Sequence, residues 1–367
     1  MRGLVLILGT VLILWVLWDA FETILLPRRV PGRLRPSRFV LRWLWNPWSR
    51  ASELIHGRSR REGFLASYAL LSIVVLLIVW ATSLVVGFAL LHWGAGSKLA
   101  GVEGMDGFAG DLYMSGTTFF TLGLGDLHPM SHTARVITVI EAGTGFGFLA
   151  MVIAYVPVLY QAFSKREVRT TMLDQWAGSP PAAAVILRRC FESDDPSVVT
   201  PLLRDWEVTC SEILESHISY PILCYFRSQH DNQSWLASLS AILDTCSLVI
   251  VGVDKIDPFQ ARLTFAIARH ALVDLCQTLA VRPEVAEPLE ERERDELRRW
   301  LTEAGVTMSG GSEADRKLDE LRELYRPYAQ PLSRLLRMPL PSMLPPPKAR
   351  YNWETTAWAK TAPDEAH

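Results

Sequence analysis

From Gly63 to Leu91 the chain runs without a single Asp, Glu, Lys or Arg. A helix needs about 20 apolar residues to cross the roughly 30 Å hydrocarbon core of a bilayer, and no water-soluble core of this size requires so long an uninterrupted run. Two further stretches have the same character: Gly3 to about Leu26, and Val136 to Ser164 with Glu141 as its only charge. Each exceeds the minimum, so tilt or extension beyond the membrane is expected. The first follows a short basic start, as a signal peptide does. It nevertheless carries Asp19 and Glu22, lacks a small-x-small cleavage pattern and runs into Pro27-Arg28-Arg29, so it reads as a retained helix. Three spans place the two ends on opposite sides of the membrane.

Basic residues orient the spans. The connection from Arg28 to Arg61 is rich in arginine and has Glu53 as its only acid, whereas Trp93 to Asp111 sets Lys98 against three acids. Lys165, Arg166 and Arg169 follow the third span. Since cytoplasmic loops carry the excess of Lys and Arg, the amino terminus is expected outside a cell membrane and everything beyond Lys165 in the cytoplasm. Cys190, Cys210, Cys224, Cys246 and Cys276 all fall in that part, odd in number and without Cys-x-x-Cys spacing, which points to buried reduced thiols rather than disulfides or a zinc site. A near balance of 37 basic and 39 acidic residues argues against a nucleic-acid partner. The arginines from Arg28 to Arg42 are interrupted by Pro31 and Pro36 and followed by Trp43, Trp45 and Trp48, so they suit an amphipathic helix on the inner leaflet better than a voltage sensor.

Between the second and third spans, Trp93 to Gly110 holds six glycines and reads as an irregular outer loop. Asp111 to Phe120 is a half-length apolar stretch able to start as a helix on Asp111, too short to span the membrane and the right size to re-enter it. It leads into Thr121-Leu122-Gly123-Leu124-Gly125-Asp126. Non-helical backbone is tolerated at membrane depth only where it is buried in protein or lines a watery path. Alternating glycines permit dihedrals that turn successive carbonyls to one side, and a ring of such carbonyls replaces the water shell of a monovalent cation.

The segment Thr118-Phe119-Phe120-Thr121-Leu122-Gly123-Leu124-Gly125-Asp126 resembles the potassium-channel signature Thr-x-x-Thr-x-Gly-(Tyr or Phe)-Gly-Asp. The order of span, half-helix, filter and span, roughly Phe64 to Phe163, is similar to that family's pore module. The resemblance implies that Thr121, Leu122, Gly123, Leu124 and Gly125 supply the filter ligands, with potassium held at Thr121 to Leu124. It also implies that Asp126 anchors the outer end, that Thr118 supports the filter and that four copies surround one axis. Leu122 stands where valine or isoleucine is usual and Leu124 where an aromatic residue is usual, so the ring that braces the filter from behind is missing.

Gly143, Gly145 and Gly147 recur in the third span, where helix glycines serve close packing or bending. Gly145 lies where the family places its inner-helix hinge, and Pro157 resembles the proline that bends that helix in some members. A carboxylate at Glu141 is costly unless it faces protein or water. It is expected behind the filter, bonded to the half-helix or to the backbone of 123–126, the alternative being an interfacial acid paired with Arg135. Asp19 and Glu22 are expected to pair with Arg28 or Arg29, and His128 and His132 flank the outer mouth, where a proton sensor is conceivable.

Beyond Val168, apolar residues recur at three-to-four spacing, predicting helices near Pro181–Phe191, Val198–Ile218, Ser234–Val251, Pro258–Leu279, Pro288–Ala304 and Glu313–Tyr325. The sequence of this part contains no dinucleotide fingerprint, phosphate loop, zinc spacing or nucleophile elbow, so the chain is not expected to be an enzyme and no cofactor is implied beyond transported potassium. The expected fold class is an all-α integral membrane protein: three transmembrane helices with a re-entrant pore helix and filter loop, then an all-helical cytoplasmic domain. Its segments are a first transmembrane helix at 1–27, a basic interfacial segment at 28–62, a pore module at 63–165, a helical domain at 166–335 and a Pro-rich, disordered tail at 336–367. The expected function is a potassium-selective channel subunit, a homotetramer in the lipid bilayer, with an unknown small molecule as a regulator of the cytoplasmic domain. A weakly selective monovalent cation pore and a membrane-anchored sensor acting through the helical domain remain the alternatives.

Overall fold

The computed structural model describes residues 1–24, 36–101, 107–229, 232–286 and 288–346. The chain divides into two compact units, Met1–His56 with Gly63–Gln161, and Gly57–Glu62 with Ala162–His367. In the first half of the sequence α1 (Arg2–Ile24), α2 (Pro36–Glu53), α3 (Arg58–Ala95), β1 (Leu99–Gly101), α4 (Phe108–Phe119), β2 (Leu127–Pro129) and α5 (His132–Ala177) follow in order. The protein is an all-α membrane protein, with α1, α3 and α5 each long and apolar enough to cross a bilayer.

In the first unit, α1 and α3 approach closely because small residues meet. A Cβ on Gly9 would lie 2.8 Å from the Gly87 carbonyl, and one on Gly94 would lie 2.8 Å from the Leu6 side chain. Glycine permits this approach, on which helix association in lipid depends. Asp19 is buried on α1 and accepts hydrogen bonds from the Ser37 amide (3.0 Å), the Ser37 hydroxyl (2.8 Å) and the Trp80 indole (2.9 Å). It thus joins three helices, where the sequence pointed to Arg28 or Arg29; those two arginines, with Arg33, Arg35 and Pro31, lie outside the described residues. Pro36 opens α2, a position that needs no amide hydrogen. The Trp48 ring stacks on Phe64 at 4.4 Å and the Tyr68 hydroxyl donates to the Leu41 carbonyl at 2.5 Å, so α2 is held along α3.

The loop between the second and third spans is more ordered than its glycines predict. α3 continues to Ala95, and β1 pairs antiparallel with β2, Ala100 opposite His128. Alternation has no room to show in three-residue strands, so this ribbon left no pattern to find. Residues 102–106 of that loop lie outside the described residues.

The second unit contains α6 (Ala183–Phe191), α7 (Val199–Ser219), α8 (Trp235–Gly252), α9 (Phe259–Thr278), α10 (Glu291–Glu303), α11 (Ser312–Glu323) and α12 (Arg326–Leu336). α8 is a fourth helix apolar enough to cross a membrane. Every residue from Trp235 to Val251 is buried, however, among α6, α7, α9, α11 and α12. A helix apolar on all sides is a core helix when protein surrounds it. Its Asp244 is wholly buried and receives Arg322 at 3.2 Å, Arg326 at 3.3 Å and the Tyr325 hydroxyl. All five cysteines are buried, and burial pushes the thiols of Cys190, Cys224 and Cys276 up to about 12.

α12 and the segment after it correct the expected limits of this domain. Helix continues to Leu336, with Pro327 tolerated in the first turn. Met338 and Met343 are buried and the Ala184 amide donates to the Met343 carbonyl at 3.0 Å, so 338–346 is packed chain and not a loose tail. The remainder of the expected tail, 347–367, lies outside the described residues.

Arg166, near the start of this unit, is buried and donates to the carbonyls of Leu223 and Phe226 (both 2.9 Å) and to His217 Nε2 at 3.0 Å. A guanidinium only donates, so Nε2 accepts and the imidazole is neutral. Burial, and then the Arg166 charge, push His217 well below its ordinary value of 6.5. The unfolded chain therefore takes up a proton that the fold refuses, and stability falls as pH drops below 6.5. Denaturation of the full-length protein from about pH 7 to about pH 5 should show a loss of up to about 1.4 kcal/mol per pH unit from this group. A His217→Gln variant should lack that component.

Candidate functional site

α4 starts at Phe108, three residues earlier than the start expected at Asp111, after an N-cap at Gly107 whose φ of 78° suits glycine. Asp111 instead sits in the first turn, where an acid complements the helix dipole. At the other end the last carbonyls of α4 lack intrahelical partners. The chain leaving the helix supplies them: Thr121 N donates to Thr118 O at 3.0 Å, and Leu122 N and Gly123 N to Thr117 O at 2.8 and 3.3 Å. The half-helix is thereby stitched to the segment that follows.

In that segment φ is 57° at Thr121, 55° at Gly123 and 78° at Gly125, while Leu122 and Leu124 have negative φ. Threonine in the left-handed region is strained, and strain of this kind persists only where its surroundings impose it. Among the described residues, no backbone amide donates to any carbonyl from Thr121 to Gly125. At the far end of the segment Asp126 is fixed twice, accepting from the Tyr113 hydroxyl at 2.6 Å and from the Leu127 amide at 3.0 Å. A Cβ on Gly101 of β1 would overlap the Asp126 carbonyl, so the ribbon presses on the end of the same segment.

Glu141 is fully buried. It accepts from the Ser115 hydroxyl of α4, and its other oxygen lies 3.6 Å from His92 Nε2 of α3, whose Nδ1 is 3.0 Å from Ser97 Oγ. The acid of α5 is thus hydrogen-bonded to the half-helix, one of the partners expected for it. Arg135 turns instead to the Pro129 carbonyl at 3.3 Å. Tyr113, Ser115 and His92 carry no signal in the sequence, being remote from the residues they serve.

α5 is helical without interruption through Gly143, Gly145, Gly147 and Pro157. At Gly145 a built Cβ would overlap the carbonyl of Phe119, the last residue of α4. Gly143 and Gly147 have nothing within 4 Å of theirs. What the structure places at Gly145 is therefore a close backbone approach between α5 and the last residue of the half-helix. His128 lies in β2 and His132 at the start of α5.

Residues 70–161 match the profile of the family described as Ion channel. This segment is an ion-channel domain. The pore-loop resemblance read from the sequence is borne out for it, and the half-helix, the strained segment and the α4–α5 contact all lie inside the ion-channel domain. Over 222 residues the chain is also 22% identical to Uncharacterized membrane protein YdjJ of Bacillus subtilis (strain 168), an overlap of 60% of this chain and 62% of that relative. The chain therefore matches less than two thirds of that relative's length. No solved structure matches the chain.

Proposed function

We propose that this chain is one subunit of a homotetrameric potassium channel in the cell membrane, with its amino terminus outside and its second unit in the cytoplasm. The observation that carries this reading is the alternation of left-handed φ at Thr121, Gly123 and Gly125. Left-handed dihedrals at every second residue turn successive carbonyls to one side, and such carbonyls replace the water shell of an ion passing in file. Thr121, Leu122, Gly123 and Leu124 hold potassium in turn, Gly125 completes the ligand row, and Thr118, Asp126 and Glu141 keep the row in place. Potassium is cargo here, and the chain acts as a channel rather than as a catalyst.

The tetramer rests on a single chain's inability to complete its own site. Leu122 and Leu124 are 62% and 63% exposed, and Phe146 and Ile153 of α5 are 68% and 65% exposed. Apolar surface of this extent belongs against lipid or other copies of the chain. For switching, Pro157 withholds an amide from the Ile153 carbonyl and so provides a soft point in α5. Bending at Gly145 would separate it from Phe119, which couples any movement there to the filter.

A weakly selective pore is the second reading, favoured by the two leucines in place of the bracing residues. The reversal potential of purified protein in planar bilayers under opposed potassium and sodium gradients separates the two. A value close to the potassium equilibrium potential, abolished by Gly123→Asp, is expected; a value near zero would replace selectivity by general cation conduction, and no current would return attention to the sensor reading.

A further inference from the structure

The second unit holds a half-open cavity of about 750 Å³, lined by residues outside the ion-channel match. Its lining includes four arginines, Arg58, Arg227, Arg322 and Arg326. Arg227, Arg322 and Arg326 are each more than nine-tenths buried. Arg227 has Glu62 at 3.1 Å, but Arg322 and Arg326 share the single carboxylate of Asp244. Three buried guanidiniums thus face two acids. Glu293 and Glu296 also line the cavity, but both are exposed on α10, where water screens them.

Two independent features reinforce this excess. The Nε atoms of Arg227 and Arg326 are buried without a hydrogen-bond partner, which is costly for a charged group. The cavity also receives the amino-terminal end of α8, where Ser234 caps the Ala237 amide at 3.0 Å and the helix dipole favours negative charge. The lining is otherwise largely apolar, with Leu289, Leu297, Met338, Leu340, Met343 and neighbouring prolines. Volume, charge and walls together match a small ligand with an anionic head and an apolar body.

We infer that this cavity is a binding site for a small organic phosphate of nucleotide size, with Arg322 and Arg326 engaging the phosphate and the 338–346 segment covering the body. Guanidinium forks suit phosphate oxygens because they offer paired donors in one plane. Occupancy would also bear on Arg58 and Glu62, near the start of α3.

The test is thermal unfolding of the full-length protein in detergent with three probes: adenosine monophosphate, inorganic phosphate and adenosine. Adenosine monophosphate should raise the unfolding temperature saturably, inorganic phosphate should do so more weakly, and adenosine should have no effect. Arg322→Gln should weaken the response to adenosine monophosphate about tenfold to a hundredfold. Leu340→Trp, which adds bulk to the lining at a half-buried position, should weaken it while its unliganded melt stays cooperative, and this variant decides the matter if Arg322→Gln does not fold. Silence from both phosphate-bearing probes, or a response unchanged in Leu340→Trp, overturns the assignment. Since no ion flux is measured, that failure would leave the channel reading intact.

Discussion

Gly145→Val is expected to carry no measurable current in bilayers where the unsubstituted protein conducts. The added Cβ would meet the Phe119 carbonyl; the Cβ is fixed by its Cα and the atoms it meets are backbone, so no change of rotamer relieves the overlap. Overpacking of a tight site costs about 1–3 kcal/mol when side chains yield, and a backbone collision belongs at the upper end or above. Relief requires α5 to leave α4 at the residue from which the chain turns into Thr121-Leu122-Gly123. Gly143→Ala and Gly147→Ala supply the controls, because a Cβ at either meets nothing within 4 Å and alanine favours helix by about 1 kcal/mol over glycine. Conduction by Gly145→Val at the ordinary level would dismiss the contact; equal loss in all three variants would show that the whole glycine-rich face packs against another copy.

The second large effect is expected in the other unit. Asp244→Ala should destabilise it by about 3–5 kcal/mol, because Arg322 and Arg326 would remain buried with no carboxylate to face. Tryptophan fluorescence during denaturation of the full-length protein reads this directly, Trp235 being buried at the start of α8. The sharper comparison is the set Asp244→Leu, Tyr325→Phe, Arg322→Met and Arg326→Met, which removes every member of the cluster at once. Since an apolar replacement of a complete buried ion cluster is often neutral or stabilising, this set should recover most of the loss. If the single substitution proves harmless, the cluster is wetter than its burial states.

How much of this was legible in the sequence follows from the range over which each signal acts. The spans were, because a bilayer demands long apolar runs and nothing else in 63–91 competes with them. The helices of the second unit were, to within a few residues, because their apolar faces repeat every three to four positions. The strained segment at 121–125 announced itself through glycine, although the left-handed threonine did not. What escaped was long-range: His92 and Ser115 at Glu141, Tyr113 at Asp126 and Ser37 at Asp19 are meetings that only the fold arranges. α12 escaped for a local reason, since Pro327 and Pro331 look like breaks until Pro327 is seen to occupy the first turn. The packed 338–346 segment was hidden similarly, its buried methionines standing among prolines that read as loose chain.

Asp19 has a consequence for how the chain is made. An aspartate in a span costs about 2.5–3.5 kcal/mol at the bilayer centre and less towards an end. The groups that relieve it emerge later from the ribosome: Ser37 follows by 18 residues and Trp80 by 61. During synthesis α1 is therefore an incomplete anchor, and it gains its full hold on the membrane only when the second span arrives beside it. Insertion of the two helices is therefore expected to be a joint event, and a nascent chain halted before Trp80 should be easier to extract from the membrane than one halted after it.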